Sequence, residues 1–301
     1  MKKLYLLLCI CSLYSLGYAQ LPSEIKRAVY ASHQSFGVSK PKGMFFSKCE
    51  KLDTCILKVT YNVLFVNDTL QKEKKENDTE IVEIGKRISH CYSYLLFQED
   101  SLITALKKKG VAAFPVFKKY IIPEELFIYS GKNQIESCYR TPSSLPRYGY
   151  QETIPDIRWN LCDEYKSILG YKCQKATCSF RGRSYVAWYT SDIPLKMGPY
   201  KFSGLPGLIL SISDTNKEYD WECVGLARGD NKTTVNKYTY TEKDIVVARD
   251  KIRKDVKRFC QDPAGYMAAS GMSGVLNSGG KNYSLASGDL PPEPYNPIEK
   301  E

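Results

Sequence analysis

Apolar and polar residues alternate with a period of two along most of the chain, and that alternation predicts strands. The run Ile56–Val66 is rich in β-branched and aromatic residues and ends at Asn67-Asp68. The charged stretch 71–77 predicts a solvated hairpin tip, followed by a second strand at Glu80–Gly85. Ile88, His90, Tyr92 and Tyr94 alternate with Ser89, Cys91 and Ser93 as a third strand. The period changes at Ser101–Lys109, where Leu102, Ala105 and Leu106 form a helical stripe that Gly110 closes. Glu125–Tyr129 and Gln134–Tyr139 flank Ser130-Gly131-Lys132-Asn133 as a hairpin. Residues 141–155 predict a long connection, with one sheet continuing across it. Strand signals are dense beyond Ile157. They cover Glu164–Leu169, Tyr171–Phe180, Ser184–Thr190 after a turn at Arg181-Gly182-Arg183, Leu208–Ser213 and Tyr219–Val224.

A second helix is predicted near the end of this pattern. Thr241-x-x-Asp244 fits a capping box, and Ile245, Ala248, Ile252, Val256 and Phe259 recur at helical spacing. Lys and Arg crowd the opposite face, and Asp262-Pro263 stops the run. The expected fold is therefore mainly β. It is a single curled antiparallel sheet, of which a lipoprotein-carrier-like half-barrel is one form, with one mid-chain helix and one C-terminal amphipathic helix. The expected organisation is a signal peptide at 1–19, a β domain at 20–262 and a mobile Gly/Ser/Pro-rich tail at 263–301.

The leader changes the picture of where the chain works. Met1-Lys2-Lys3, an apolar run from Leu4 to Leu16 and Gly17-Tyr18-Ala19 form an export signal with cleavage after Ala19. No later segment reaches membrane length, so a transmembrane span is not expected. Removing Lys2 and Lys3 from the net +10 leaves +8, spread along the chain in the manner of a solvated surface. No nucleic-acid module is recognisable. Nine cysteines remain after the leader, and in an exported chain they predict disulfides, with Cys49–Cys55 and Cys173–Cys178 close enough in sequence to pair locally. Their spacing fits no zinc site, and neither a metal nor a cofactor is expected.

Candidate chemistry is sparse. The two histidines are His33 and His90, and no G-x-S-x-G elbow, H-E-x-x-H helix, phosphate loop or dinucleotide fingerprint is present. His90 and Cys91 are strand neighbours and point to opposite faces, so they form no dyad. Asp156, Asp163, Asp192, Asp214 and Asp220 are carboxylates from which a facing pair for acid–base work is conceivable, although acids at turns commonly serve the turn. No catalytic residue is assigned.

In Gly204-Leu205-Pro206-Gly207-Leu208-Ile209, Pro206-Gly207 predicts a type II turn in which Gly207 takes a positive φ. Leu208, Leu210 and Ile212 then enter the core. Gly204, Gly207, Leu208 and Ile209 form the structural motif. Trp188, Tyr200, Phe202, Leu205 and Pro206 form the candidate binding surface, presented by an aromatic loop.

Within 171–214, Lys172–Ala176, Arg181-Gly182-Arg183, Ala187–Thr190, Ile193-Pro194, Gly198-Pro199 and Gly204–Ile209 follow one another. This run resembles the signature of the GLPGLI family, exported proteins of Bacteroidota-type bacteria. Glu83-Ile84-Gly85-Lys86 and Asn296-Pro297-Ile298-Glu299 resemble it too, while Cys162, Cys178 and Cys223 depart from it. The resemblance implies an envelope protein accompanying TonB-dependent outer-membrane receptors, and it supplies no catalytic residues. Three functions are in view: a non-enzymatic accessory protein binding an envelope partner, a carrier of a hydrophobic ligand in a half-barrel groove, and an envelope hydrolase with paired carboxylates. The location expected is the periplasm, the outer membrane or outside the cell.

Overall fold

The computed structural model describes residues 44–111, 119–141, 146–230, 232–241, 243–271, 275–278, 281–284 and 290–301. The expected leader and cleavage site, and His33, lie outside the described residues. The longest strand, β1 (Phe46–Val66), joins two meanders. On one side of it lie β2 (Lys75–Gly85), β3 (Ile88–Ser93), β4 (Glu124–Tyr129), β5 (Gln134–Tyr139) and β6 (Tyr148–Thr153), in chain order. On the other side β11 (Tyr219–Arg228) pairs with β1. It is followed outward by β10 (Leu208–Asp214), β9 (Arg183–Thr190), β8 (Tyr171–Phe180) and β7 (Asn160–Ile168). β12 (Thr234–Tyr240) pairs with the first part of β1, and β13 (Ile245–Val246) lies parallel to β6; every other pair in this sheet is antiparallel.

The result is one large curled sheet that does not close into a barrel. Val59, Tyr61 and Val63 of β1, Leu126 of β4, Ala187 of β9 and Trp221 of β11 belong to a single buried cluster. Residues from both meanders meet there because the sheet bends over its own apolar face. Two turns assist: Leu169-Gly170 and Arg181-Gly182 both take positive φ at two successive residues, the geometry that suits a tight hairpin between twisted strands.

Helix α1 (Tyr94–Lys108) starts seven residues before the expected position. Ser93 ends β3 and caps the helix, its hydroxyl accepting from Leu96 N at 3.2 Å, so Tyr94 is helical and not the end of a strand. Helix α2 (Arg249–Gln261) starts later than its apolar spacing suggested. Asp244 pairs with Arg147 instead of capping, and Ile245 and Val246 become β13. Asp262 does not simply stop the run. Its carboxylate accepts from Gly265 N at 2.8 Å and opens α3 (Pro263–Ala269), with Pro263 in the first turn. α2 and α3 bury Ile252, Val256, Phe259 and Met267 against Tyr148 and Tyr150 of β6.

Parts of the 263–301 tail carry regular structure. Beyond α3, β14 (Val275–Ser278) and β15 (Lys281–Ser284) form a two-stranded sheet of their own. Residues 290–301 then return to the body, burying Leu290, Asn296, Ile298 and Glu299. Among the described residues the expected disulfides are absent: the nine cysteines there are free thiols. Cys49 and Cys55 share strand β1, and Cys173 and Cys178 share β8. At about 3.3 Å per residue the members of each pair are roughly 16–20 Å apart, far beyond the reach of a disulfide.

Candidate functional site: a buried ionic cluster under the closing segment

The loop 191–207 joins β9 to β10 and carries the first four residues of the hexapeptide, whose Leu208 and Ile209 open β10. Gly207 is not at positive φ; it is glycine because a Cβ there would lie 2.0 Å from the Thr190 carbonyl oxygen. Positive φ falls instead on Gly204 (98°) and on Tyr200 (52°). Leu208 N donates to Ile193 O at 3.0 Å and Ile209 N to Met197 O at 2.9 Å, so the loop folds back on its own strand. Trp159 Nε1 donates to Ser203 O at 2.9 Å from outside.

This folding turns the aromatics inward. Tyr200, Phe202 and Leu205 are buried, and Phe202 packs edge-on to Tyr185 at 4.7 Å and to Trp221 at 5.9 Å between ring centroids. The expected aromatic surface is therefore corrected: these three side chains belong to the core. Of the named residues, Gly204 and Pro206 are exposed, and Trp188 is half-buried with Lys166 Nζ 4.6 Å above its ring. Gly207, Leu208 and Ile209 are buried.

Between Tyr200 and Phe202 the loop carries Lys201, which is 1% exposed. Its Nζ lies 2.8 Å from Glu152, 2.8 Å from Glu299 and 3.2 Å from Glu124, and donates to the Tyr150 hydroxyl at 2.6 Å. Tyr200 Oη donates to Glu124 at 2.6 Å, and a Glu299 oxygen lies 2.9 Å from the same hydroxyl. Ser137 and Tyr150 also donate to Glu124, and Arg249 Nε donates to Glu299 at 2.6 Å. Burial by itself would lower the Lys201 value, yet Glu124, Tyr150, Glu299 and Glu152 hold it well above the usual lysine range. Burial likewise opposes the charge on Glu299, but Lys201 and Arg249 hold its carboxyl at about 2.

A second cation, Arg183, lies in the same concavity. Its Nη1 donates to Asp214 at 3.0 Å and to Glu218 at 2.7 Å. Its remaining donors go to residues 296–298. A cavity of about 130 Å³ is walled by tyrosines, among them Tyr120, Tyr139 and Tyr219, together with Arg249, Glu124 and Glu299.

Behind the loop, Glu80 of β2 accepts from Tyr200 N at 2.7 Å and from Trp221 Nε1 at 3.3 Å. Burial pushes its carboxyl up to about 7, against hydrogen bonds from Cys91, Tyr200 and Trp221. Cys91 is in the core beside Glu80, whereas His90 is stacked between Tyr92 and Phe127 and bonded to Glu125 at 2.9 Å. The two residues do face apart, as strand alternation requires.

The five aspartates named from sequence are not the acids that gather. Asp214 serves Arg183, and the clustered carboxylates are Glu124, Glu152 and Glu299. Arg183 and Glu299 lay inside motifs already singled out, but nothing local marks Glu124 or Glu152. Among the described residues no group of three His, Cys, Asp or Glu side chains is arranged to hold a metal, and no helix is long and apolar enough to cross a membrane.

A family model described as "Protein of unknown function (Porph_ging)" matches residues 181–211, the stretch from the Arg181 turn through the hexapeptide. No curated protein matches the chain. A solved structure of PNGF-II is similar at 15% identity and a TM-score of 0.42, over 67% of this chain and 33% of that one. This chain therefore spans about a third of its length. An uncharacterized conserved protein from Thermus thermophilus is similar at 9% identity and a TM-score of 0.34, over 64% of this chain and 91% of that one. Neither likeness carries an argument about activity.

Proposed function

We propose that the chain is an exported, non-enzymatic accessory protein of the bacterial envelope, of the GLPGLI type, that binds an envelope partner such as a component of a TonB-dependent system. The leader-like start and the motif run across 171–214 support export and family. The observation that carries the binding reading is the way the buried ionisable groups are used. A catalytic acid or base needs a group free to exchange a proton with a substrate. Here Lys201, Glu299 and Arg249 are committed to one another, and Glu124 accepts from three hydroxyls. They fasten the 191–207 loop and the 290–301 segment in place. The paired-carboxylate hydrolase loses its support for the same reason, since Glu124 and Glu299 are both ion-paired to Lys201.

The carrier reading narrows. A cavity of about 130 Å³ is below the roughly 300–1,000 Å³ usual for drug-sized ligands and near the ~150 Å³ that accepts a benzene-sized molecule. Its tyrosine walls favour a small planar compound over a lipid.

The partner is expected on the exposed Pro206 of the loop and the half-buried Trp188 of β9. A photo-crosslinking amino acid at Pro206, expressed in the native envelope, should yield a discrete crosslinked protein, whereas the same group at the fully exposed Leu70 should not. Identical patterns at both positions, or no adduct at Pro206, would defeat this assignment.

A further inference from the structure

Residues 290–301 are held mainly by side chains of the body and not by strand pairing. Three successive carbonyls are read: Asn296 O accepts from Tyr219 Oη, Pro297 O from Arg183 Nη2 at 2.8 Å and Ile298 O from Arg183 Nε at 2.9 Å. The Asn296 amide is satisfied at both ends. Its Oδ1 accepts from Arg183 Nη2 at 2.6 Å and its Nδ2 donates to Val66 O at 2.7 Å. Ile298 joins the main core cluster, and Glu299 enters the Lys201–Arg249 pair of cations. One amide, one aliphatic side chain and one carboxylate are thus recognised at fixed spacing, by groups from β1, β9, β11, α2 and the 191–207 loop.

The segment has the character of a ligand. Prolines at 291, 292, 294 and 297 restrict φ and remove backbone donors, so it is largely extended before it docks and little ordering cost remains. Proline-rich extended peptides dock on aromatic-lined grooves by the same physics, and Tyr120, Tyr139 and Tyr219 line this one. The body-side receptor groups include Arg183, Lys201 and Tyr219, each buried, and none of them belongs to the segment.

We infer that the concave face is a peptide-binding site for an extended Asn-Pro-aliphatic-Glu segment, filled in this structure by residues 296–299 of the same chain and open to a peptide of that chemistry supplied in trans. The site is distinct from the outer surface assigned above to the envelope partner, so either can fail alone.

The test uses the full chain with a protease recognition sequence replacing residues 285–289. It is folded, cut, and mixed with a fluorescein-labelled synthetic peptide of residues 290–301. The cut chain should keep its near-ultraviolet circular dichroism and take up the labelled peptide, seen as a rise in anisotropy. The uncut chain should bind at least about tenfold less, because the tethered segment competes at high effective concentration. A labelled peptide with Asn296→Ala should bind about tenfold or more weakly, since it leaves buried partners unpaired. Peptide with Glu299→Gln should weaken similarly. Unfolding on cutting, no uptake by the cut chain, equal uptake by cut and uncut chains, or an Asn296→Ala peptide that binds as tightly would each overturn the inference.

Discussion

Glu80 shows how much a single buried group can determine in this protein. It holds the Tyr200 amide and the Trp221 indole, two fixed points of the core under the loop. Burial, partly offset by hydrogen bonds from Cys91, Tyr200 and Trp221, raises its carboxyl from 4.5 to about 7. Its neighbour Asp78 is raised by burial to about 6, against hydrogen bonds from Ile122, Ser93 and Thr79. Both folded values lie above the unfolded ones, so the protonated forms stabilise the fold fully below the unfolded values. That contribution is lost as pH rises through about 6 and then 7. The thermal midpoint should therefore fall between about pH 5 and pH 8, and Glu80→Gln should flatten the upper part of the slope. Circular-dichroism melts across that range measure it. A wild-type midpoint that stays level, or a variant with the parent's slope, would contradict the assignment.

At the scale of elements, the β9–β10 loop separates two uses of glycine. Gly207→Ala drives a Cβ into the Thr190 carbonyl, main-chain atoms that cannot step aside, and should cost about 3 kcal/mol or prevent folding. Gly204→Ala meets only the Trp159 ring at 3.7 Å and bears mostly the strain of its positive φ, roughly 1 kcal/mol. Urea denaturation should rank Gly207→Ala as the more damaging, and the reverse order would mean the turn is governed by dihedral strain. The sequence marked this hexapeptide but suggested the opposite reason for Gly207, because Pro-Gly is an ordinary type II signal and close approach to another strand is invisible locally. Strands with strong alternation, such as β8 and β9, were legible. The start of α2 was not, because Asp244 answers to Arg147, 97 residues away in sequence. The ionic cluster was hidden for the same reason: Lys201 and Glu299 are 98 residues apart, and burial of charge has no sequence period.

At the scale of the whole molecule, the open curl of the sheet leaves a concavity that the 290–301 segment fills, and Arg183 connects the two. Removing the guanidinium, as in Arg183→Met, strands Asp214 in the interior, leaves Glu218 to Lys72 and Lys300 alone, and should cost about 3 kcal/mol globally. Asn296→Ala keeps those ion pairs and removes only the amide's two hydrogen bonds. It should therefore loosen the segment while the sheet stays folded, visible as faster hydrogen exchange in 290–301 with β1 and β11 unchanged. Acid should do the same in the wild type. Glu299 is depressed to about 2, so its contribution is present above the usual 4.5 and is lost as pH falls toward 2. Over that interval Glu80 and Asp78 are already protonated in the fold and do not weaken the core, while Glu218, which against burial Arg183 and Lys72 hold at about 2, loses its contribution together with Glu299 at the Arg183 anchor of the segment. Acidification should thus release the segment before the sheet melts. Hydrogen exchange quenched from a series between about pH 5 and pH 3 should show protection lost first at 290–301; simultaneous loss in β1 would mean that the segment and the sheet are one cooperative unit.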